Sequence, residues 1–536
     1  MRAIMSIATL ILCLCLHSFP SYIHAASSSP SSYCDMTPHP NFCRSQEPQN
    51  KPTNVQGYGR YSIQKALSTS TSLLNSINGY LNSGRSSSSK TLILALRDCQ
   101  TLLSSNVEML SNVAQTVQNS NTLQTSQYED FETLLSTTIT YKQTCLDGLE
   151  TAGSSVANEI LPSLNNGTML CSMSLAFFKK GWVPPKRSRS LAELFRPFSS
   201  IHHRRKLLQL TGVNVNKNVT VNPDGSGNFT TINAAIAAAP NITKSSQGYY
   251  RIQVAAGVYE EYINIPSYQK YLMIVGDGIN KTIITGNHSV DDGWTTFDSA
   301  TFAVNAQGFI GVNFTIRNTA GAAKHQAVAL RNDADLSVFY LCSFEGYQDT
   351  LYTHSKRQFY RECDVYGTVD YIFGNAAVVL QHCNIYSRLP LPGQFNTVTA
   401  QGKVDINQNA GTSIHDCNIK AADDLASSNG TTQTYLGRPW KTYSTTIVME
   451  SFLDSLINPA GWAPWSGNQS LDTLYYAEYN NTGPGSNTSS RVTWPGYHII
   501  TNGSDVLNVT VSNFISGDNW LPSTEVPYVG GLLYYP

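Results

Sequence analysis

A short motif recurs at intervals of a few tens of residues along the second half of this 536-residue chain. Its copies share a small or polar residue, then any residue, then an apolar residue, and they begin at Asn313, Cys342, Cys363, Cys383 and Cys417. The two middle intervals are nearly equal, the first is somewhat longer, and the last is the longest and predicts an inserted loop. Recurrence of this kind in Val-, Ile- and Phe-rich segments is typical of a solenoid. We therefore predict a parallel β-helix, in which each coil pairs with the next and buries a continuous core.

One and the same interval separates two cysteines, Cys342 and Cys363, and two aspartates, Asp349 and Asp370. In a stack of parallel strands, one period returns the chain to the same place one strand higher, roughly 4.8 Å away. The Cα atoms of the two cysteines are then expected within the roughly 4.4–6.8 Å that a disulfide spans. The two aspartates are expected as stacked carboxylates.

Two glutamines extend this acidic pair, because Gln326 precedes Gln348 by nearly the same interval, again one coil. Two carboxylates at one-strand separation cannot both ionise freely, so the pKa of one of them should rise. One then acts as nucleophile or base and the other as proton donor, while the amides can donate hydrogen bonds to an oxyanion. The cluster favours acyl transfer. The alternative is a hydrogen-bonded ladder with a purely structural role.

Other catalytic arrangements find less support in the sequence. There is no Gly-x-Ser-x-Gly motif, which argues against the common α/β-hydrolase site. His325 and His354 show no zinc-ligand spacing, and we interpret them as surface or packing residues. The pairs 291–292 and 423–424 are acidic, but a calcium site would need more oxygen ligands than these loops offer. No metal is predicted.

The first half of the chain has a helical pattern. Segments 62–80, 91–117 and 128–157 carry apolar residues at steps of three and four, which predicts an antiparallel helical bundle. Cys34 and Cys43 lie close together in the sequence near its start. Cys99 and Cys145 fall in separate predicted helices and could staple them, which leaves Cys171 over.

The N-terminal segment 1–25 matches a secretory signal, with Arg2, an apolar run and a small-residue cleavage site. A signal anchor is the alternative, but the run is short for a membrane span. Nine cysteines remain after the signal, which suggests four disulfides and one leftover thiol in a secreted chain. Thirteen Asn-x-Ser/Thr sequons fit a glycosylating pathway.

A basic, Pro- and Ser-rich stretch joins the two halves, and its run 204–208 is either a processing site or a solvated loop. Residues 1–210 carry a net charge of +7 and residues 211–536 a net charge of −8. Neither half has the clustered basic charge of a nucleic-acid binder. Opposite charges favour attraction between the halves, although unrelated drift in composition explains them equally well.

Five motifs give the second half a resemblance to a known family. They are Gly257-Val258-Tyr259-Glu260-Glu261, His325-Gln326-Ala327-Val328-Ala329-Leu330, Gly346-Tyr347-Gln348-Asp349-Thr350-Leu351-Tyr352, Val369-Asp370-Tyr371-Ile372-Phe373-Gly374-Asn375-Ala376 and Leu436-Gly437-Arg438-Pro439-Trp440. In this order and spacing they resemble the plant pectin methylesterases (pectinesterases) over residues 211–530. The first half resembles the pectinesterase-inhibitor domain through its five cysteines and the helices between them.

The resemblance implies four segments: a signal peptide 1–25, an all-α four-helix inhibitor-like bundle 26–178, a linker 179–210 and an all-β catalytic domain 211–530. The catalytic domain is expected as a right-handed parallel β-helix. Arg205-Lys206-Leu207-Leu208 matches the site at which relatives lose the inhibitor-like part. The expected disulfides are Cys34–Cys43, Cys99–Cys145, Cys342–Cys363 and Cys383–Cys417.

The resemblance also implies roles for individual residues. Asp370 is expected to attack the ester carbonyl and Asp349 to donate a proton and then act as base, with Gln348 and Gln326 holding the oxyanion. Arg438 is expected to orient Asp370. The implied substrate contacts are Thr296, Gln326, Arg438 and Trp440. Two departures from the family pattern, Asp333 and Tyr371, are not expected to touch the chemistry.

The implied activity is hydrolysis of the methyl esters of homogalacturonan in the plant cell wall, by a secreted monomer without cofactor or membrane span. The implied partners are the pectin chain, the helical half of the same molecule as inhibitor or folding and retention segment, and a processing protease. Two other hypotheses stay open: a non-catalytic binding protein, and chain cleavage by lyase or glycosidase chemistry. Because the second half is acidic, we also expect weak retention on pectate.

Overall fold

The computed structural model describes residues 33–83, 89–184 and 212–533. The expected signal peptide 1–25 and processing run 204–208 lie outside these ranges. Within them, no helix combines the length and apolar character that a membrane crossing needs.

Residues 33–184 form a helical unit. A 3₁₀ turn, Cys34–Met36, precedes five α-helices: α1 Pro40–Ser45, α2 Val55–Asn82, α3 Lys90–Asn119, α4 Thr125–Ala152 and α5 Ser155–Gly181. The four long helices pack in chain order, and α2 also contacts α5, which closes a four-helix bundle. Polar side chains begin three of them, because Asn54, Ser89 and Ser154 each accept a hydrogen bond from a backbone N–H of the first turn. The predicted bundle is confirmed.

Two disulfides fasten the bundle. Cys34–Cys43 ties the 3₁₀ turn to α1, and Cys99–Cys145 ties α3 to α4, with Cα–Cα distances of 5.5 Å and 4.7 Å. Both pairings agree with the sequence analysis. Cys171 is a buried free thiol, as expected for the cysteine left over in the first half. The four disulfides suggested by the cysteine count are wrong, because the described residues contain two disulfides and five free cysteines.

Residues 215–500 form 26 strands, which are numbered in chain order and lie in three parallel sheets. The first sheet has eleven strands: β1 Val215–Val221, β2 Tyr249–Val254, β5 Leu272–Gly276, β8 Ile310–Val312, β11 Ser337–Tyr340, β14 Arg357–Arg361, β17 Ala377–Gln381, β20 Gly411–His415, β23 Thr445–Met449, β25 Tyr475–Tyr479 and β26 Tyr497–Ile500. The second sheet has seven: β4 Ile263–Ile265, β7 Phe302–Val304, β10 Leu330–Asn332, β13 Leu351–Thr353, β16 Ile372–Gly374, β19 Asn396–Gln401 and β22 Thr434–Gly437. The third sheet has eight: β3 Gly257–Tyr259, β6 Thr282–Gly286, β9 Thr315–Asn318, β12 Ser343–Glu345, β15 Asp364–Gly367, β18 Asn384–Ser387, β21 Asn418–Ala421 and β24 Phe452–Leu453. The described residues 212–533 also contain three short α-helices, α6 Ile232–Ala237, α7 Asp423–Ala426 and α8 Val511–Phe514, and five 3₁₀ helices.

The central coils each contribute one strand to each sheet and stack in parallel register, whereas the coils at both ends add strands to the first sheet alone. Leu330, Leu351 and Ile372 pair in one column of the second sheet, and Ser343, Asp364 and Asn384 pair in one column of the third. The core of Val, Ile, Leu and Phe side chains runs continuously inside the three sheets. The parallel β-helix expected from the repeat is confirmed. The long interval before Cys417 arises from longer connections on either side of β19.

The expected disulfides Cys342–Cys363 and Cys383–Cys417 are wrong, because all four cysteines are buried free thiols. They form one column inside the β-helix. In-register neighbours of a parallel stack point the same way, so their Cβ atoms are about one strand spacing apart, roughly 4.8 Å. A disulfide needs roughly 3.5–4.5 Å between Cβ atoms. Each thiol instead donates to a backbone carbonyl, as Cys342 does to Tyr340 O (3.5 Å) and Cys363 to Phe339 O (3.4 Å).

The bundle packs against the outer face of the second sheet. Phe297, Tyr352 and Phe373 of the β-helix share an apolar cluster with side chains of the bundle such as Leu96 and Leu149. The two units therefore bury a joint apolar surface in addition to their own cores.

Candidate active site

The two predicted acids lie just before neighbouring strands of the second sheet. Asp349 and Asp370 each lie two residues before a paired strand residue, Leu351 and Ile372, and so occupy the same column one coil apart. Both have a left-handed backbone, with φ of 63° and 53°, a conformation that Asp tolerates better than most residues. Their side chains are buried, with 7% and 4% of the residue exposed. The stacking that the common interval predicted is present.

Asp370 is held at both carboxylate oxygens. Arg438 donates from Nε to Oδ1 (2.8 Å) and from a terminal nitrogen to Oδ2 (2.6 Å), in the bidentate geometry that favours an ionised carboxylate. Thr397 Oγ1 donates to Oδ1 (2.6 Å) and accepts from the backbone N–H of Asp370 (2.8 Å). Three of these hydrogen bonds orient the carboxylate of Asp370, and the fourth anchors its backbone.

Asp349 is in a different electrostatic environment. Burial, and after it the nearby Asp370 carboxylate, raise the pKa of Asp349 well above its usual range. The two acids therefore differ: Asp370 is oriented by the donors of Arg438 and Thr397, whereas the raised pKa of Asp349 favours its protonated form. Such a division is what a nucleophile and its proton donor require.

A cavity of about 330 Å³ lies in front of the acids. All seven residues predicted from the sequence line it: Thr296, Gln326, Gln348, Asp349, Asp370, Arg438 and Trp440. Both glutamine side chains are only partly buried, so their amides can meet a ligand there. The cavity is large enough for part of an oligosaccharide and polar enough on one side to orient it.

Sequence reasoning missed several residues of this site. Tyr352 and Phe373 stack on each other at 4.2 Å and line the cavity. Their interval in the sequence equals that of the two acids, so the period that linked the acids would also have linked these rings. Trp465 faces Arg438, whose guanidinium carbon is 4.3 Å from its ring centroid. Thr397 follows Asp370 by more than one regular coil, and this longer interval hid the contact.

Helices α3 and α4 form the opposite wall of the cavity. They contribute five polar side chains, which are Thr91, Asp98, Thr144, Asp147 and Thr151. Thr295 Oγ1 donates to Asp98 Oδ2 (2.7 Å), and Lys441 Nζ donates to Asp147 Oδ1 (2.7 Å). The hydroxyl of Thr295, the neighbour of the predicted contact Thr296, is therefore hydrogen-bonded to the bundle.

Further contacts fasten α4 to the β-helix around the cavity. Arg357 pairs with Asp130 at 2.7 Å, and Asn375 Nδ2 donates to Thr140 Oγ1 at 2.7 Å. Tyr141 stacks on the buried His354 and donates its hydroxyl to Asp333. His354 is thus a packing residue of the interface, and the unusual Asp333 belongs to the same interface rather than to the acid pair.

Two of the remaining acidic candidates form ion pairs. Asp292 pairs with Lys324 at 2.5 Å and Asp424 with Arg388 at 3.5 Å. Among the residues that the structure describes, no group of three His, Cys, Asp or Glu side chains could hold a metal ion.

Comparison with known proteins agrees with the fold. Residues 218–518 match the family model "Pectinesterase", and residues 28–177 match "Plant invertase/pectin methylesterase inhibitor". The chain belongs to the pectinesterase family. It is 53% identical to "Probable pectinesterase/pectinesterase inhibitor 20" of Arabidopsis thaliana over 97% of this chain and 98% of that protein. It is 48% identical to "Pectinesterase 2" of Citrus sinensis over 94% of both.

Among solved structures, a pectin methylesterase from carrot is 52% identical, with a TM-score of 0.58. The match covers 98% of the carrot chain and 59% of this chain. The β-helix alone accounts for that share of this chain. The present chain is a pectinesterase with an N-terminal domain of the inhibitor family in the same molecule. A chain of the β-helix alone is therefore a folded protein in a relative that shares half of its sequence.

Proposed function

We propose that this pectinesterase hydrolyses methyl-esterified galacturonate residues of homogalacturonan and releases methanol, with Asp370 as nucleophile. The observation that carries the proposal is the unequal acid pair in one cavity: Arg438 and Thr397 hold the carboxylate of Asp370, while burial and Asp370 raise the pKa of Asp349 well above its usual range. We assign the ionised state to Asp370 and the protonated state to Asp349 as part of the proposal. Acyl transfer through a carboxylate needs both states at once.

The reaction proceeds in two stages. An Asp370 oxygen attacks the C6 carbonyl of the ester, and the side-chain amides of Gln348 and Gln326 stabilise the tetrahedral oxyanion. Asp349 gives its proton to the departing methanol, which leaves an acyl-enzyme on Asp370. Asp349, now ionised, takes a proton from water, which attacks the acyl-enzyme and restores both acids. Trp440 supports a sugar ring, and Thr296 contacts the chain nearby.

Chain cleavage by an inverting glycosidase fits the cavity less well. An inverting glycosidase keeps its carboxyl groups roughly 6.5–9.5 Å apart to admit a water between them, whereas these acids occupy adjacent coils, roughly 4.8 Å apart. Loss of viscosity without methanol would favour cleavage. Binding without catalysis does not require an acid with a raised pKa beside an oriented carboxylate, so the pair favours an enzyme over a binding protein.

Asp370→Ala tests the nucleophile in the β-helix domain. Methanol release from esterified pectin should fall to background, while circular dichroism shows that the domain remains folded. Asp364→Ala, on the third sheet away from the cavity, is the matched control and should keep full activity. Substantial turnover by Asp370→Ala would show that another group attacks the ester.

We further propose that the helical domain inhibits the enzyme in cis. Its α3 and α4 wall off the cavity, so a polymeric substrate cannot lie across Asp370 while the bundle is docked. The chain is proposed to be secreted to the cell wall as a monomer after loss of residues 1–25, and a protease is proposed to cut at 204–208. Methanol release before and after removal of residues 26–208 measures the inhibition; equal rates would contradict it.

A further inference from the structure

Lys441 forms an ion pair across the interface between the two domains. Its Nζ donates to Asp147 Oδ1 of α4 at 2.7 Å. In the described part of the chain, Lys441 forms no ion pair with any other carboxylate. Arg357, which also pairs with the bundle, keeps a second partner, Asp335, within the β-helix. Departure of the bundle therefore leaves Lys441 without its counter-ion but leaves Arg357 paired.

The position of Lys441 links it to the catalytic cavity. It follows Trp440 directly, and its Nζ is 5.0 Å from the centroid of the Trp440 rings. Both Trp440 and Asp147 line the catalytic cavity. The side chain of Lys441 is 20% exposed even with the bundle docked. Lys441 is not among the residues that line the cavity; its ammonium group lies just behind that lining, between Asp147 and the proposed sugar platform Trp440.

Asp147 is poorly satisfied where it sits. Its Oδ1 accepts from both Lys441 and Gln143 (2.8 Å), whereas the buried Oδ2 has no hydrogen-bond partner in the structure. A buried carboxylate oxygen without a donor is unfavourable, so the gain in stability from this carboxylate is limited. The ion pair does place the carboxylate of Asp147 against the ammonium group of Lys441, beside the catalytic cavity.

We propose that Lys441 is a binding site for the free carboxylate of an unesterified galacturonate, in the same chain as the ester under attack. Asp147 occupies this site in the inhibited molecule and stands in for the sugar carboxylate. The inference rests on the proposed function and adds a substrate preference. A pectin segment binds more tightly when the sugar next to the reacting ester, on the side of Trp440 and Lys441, carries a free carboxylate than when the segment is fully esterified. Lys441 matters here because Arg438 is already committed to Asp370.

The kinetic test uses the β-helix domain and two galacturonate hexamers, one fully methyl-esterified and one with a single free carboxylate beside the reacting ester. The ratio of kcat/KM for the second hexamer over the first should fall roughly 3- to 10-fold in Lys441→Ala, through KM, because one exposed charge-assisted contact is lost. Lys441→Arg should largely restore the ratio. Lys420→Ala on the third sheet is the matched control and should leave the ratio unchanged.

A binding test separates this inference from the proposed reaction. The affinity of the domain for fully de-esterified hexagalacturonate, measured by calorimetry, should fall by a similar factor in Lys441→Ala, and the difference should shrink as salt is raised. An unchanged ratio of kcat/KM together with an unchanged affinity would overturn the carboxylate site. If the parent domain released no methanol, the proposed function would fail, whereas a loss of hexamer affinity in Lys441→Ala would still support the site.

Discussion

Replacing Thr397 by valine tests how the proposed nucleophile is held. Thr397 is fully buried and makes two hydrogen bonds with one residue: it donates to Asp370 Oδ1 (2.6 Å) and accepts from the Asp370 backbone N–H (2.8 Å). Valine has nearly the same shape, so the substitution removes both hydrogen bonds and leaves little change in volume. Serine retains the hydroxyl and serves as the control.

Each lost hydrogen bond has its own expected cost. A hydrogen bond to a charged group contributes about 1.5–3 kcal/mol. With about 1.36 kcal/mol for each factor of ten in rate, loss of the orienting contact should lower kcat/KM roughly 10- to 150-fold. The backbone N–H of Asp370, buried and without an acceptor, should reduce the free energy of unfolding by about 1–3 kcal/mol. Activity and stability should therefore both fall.

Methanol release by the isolated β-helix domain measures the first effect, and urea unfolding of the same preparation measures the second. Thr397→Ser should stay within a few-fold of the parent in both. Because Arg438 still holds Asp370 in Thr397→Val, activity should be reduced rather than abolished. A valine variant with parental kcat/KM would show that Arg438 alone suffices, and the positioning role of Thr397 would be refuted.

Further measurements test other parts of the molecule. Asp349→Asn should abolish methanol release yet stabilise the β-helix at about pH 7, and this gain should shrink towards about pH 4. Burial and Asp370 raise the pKa of Asp349 in the folded protein, so the parent loses stability as pH rises and the unfolded chain ionises first, whereas asparagine stays neutral. Urea midpoints across this pH range check the sign. Loss of the Cys99–Cys145 disulfide, whose cysteines are separated by 46 positions, should destabilise the bundle by about 4 kcal/mol in chemical unfolding. Thiol titration of residues 33–533 in denaturant without reductant should count five reactive groups; three or fewer would mean that the β-helix cysteines do pair. The acidic β-helix domain should elute from a pectate column at low salt, and tight retention would contradict the charge argument.

The period of the second half carried most of what the sequence could predict. It located Asp349 and Asp370 in one column, because residues one coil apart must stack whatever their chemistry. The same reasoning misjudged Cys342 and Cys363, since the Cα spacing suited a disulfide but the parallel side chains did not. Thr397 escaped notice because an irregular coil separates it from Asp370.

The contact between the two halves was beyond sequence reasoning. Opposite net charges suggested attraction, but they did not reveal which helix faces the sheet or that Tyr141 meets His354. Such pairings depend on how two finished surfaces fit, and neither periodicity nor spacing within one half records that fit. Asp333 is an example, because it stood out in the sequence as a departure and only the structure places it against the bundle.

The apolar cluster shared by the bundle and the second sheet determines whether a cut between the two domains is enough to separate them. Severing the backbone removes none of the contacts around Tyr352 and Phe373, so a nicked molecule still carries its cover. What the cut removes is the tether, which had kept the cover at an effective concentration of the order of millimolar. The proposed activation therefore depends on dilution: the nicked enzyme should stay inactive while concentrated and become active where the freed bundle can diffuse away.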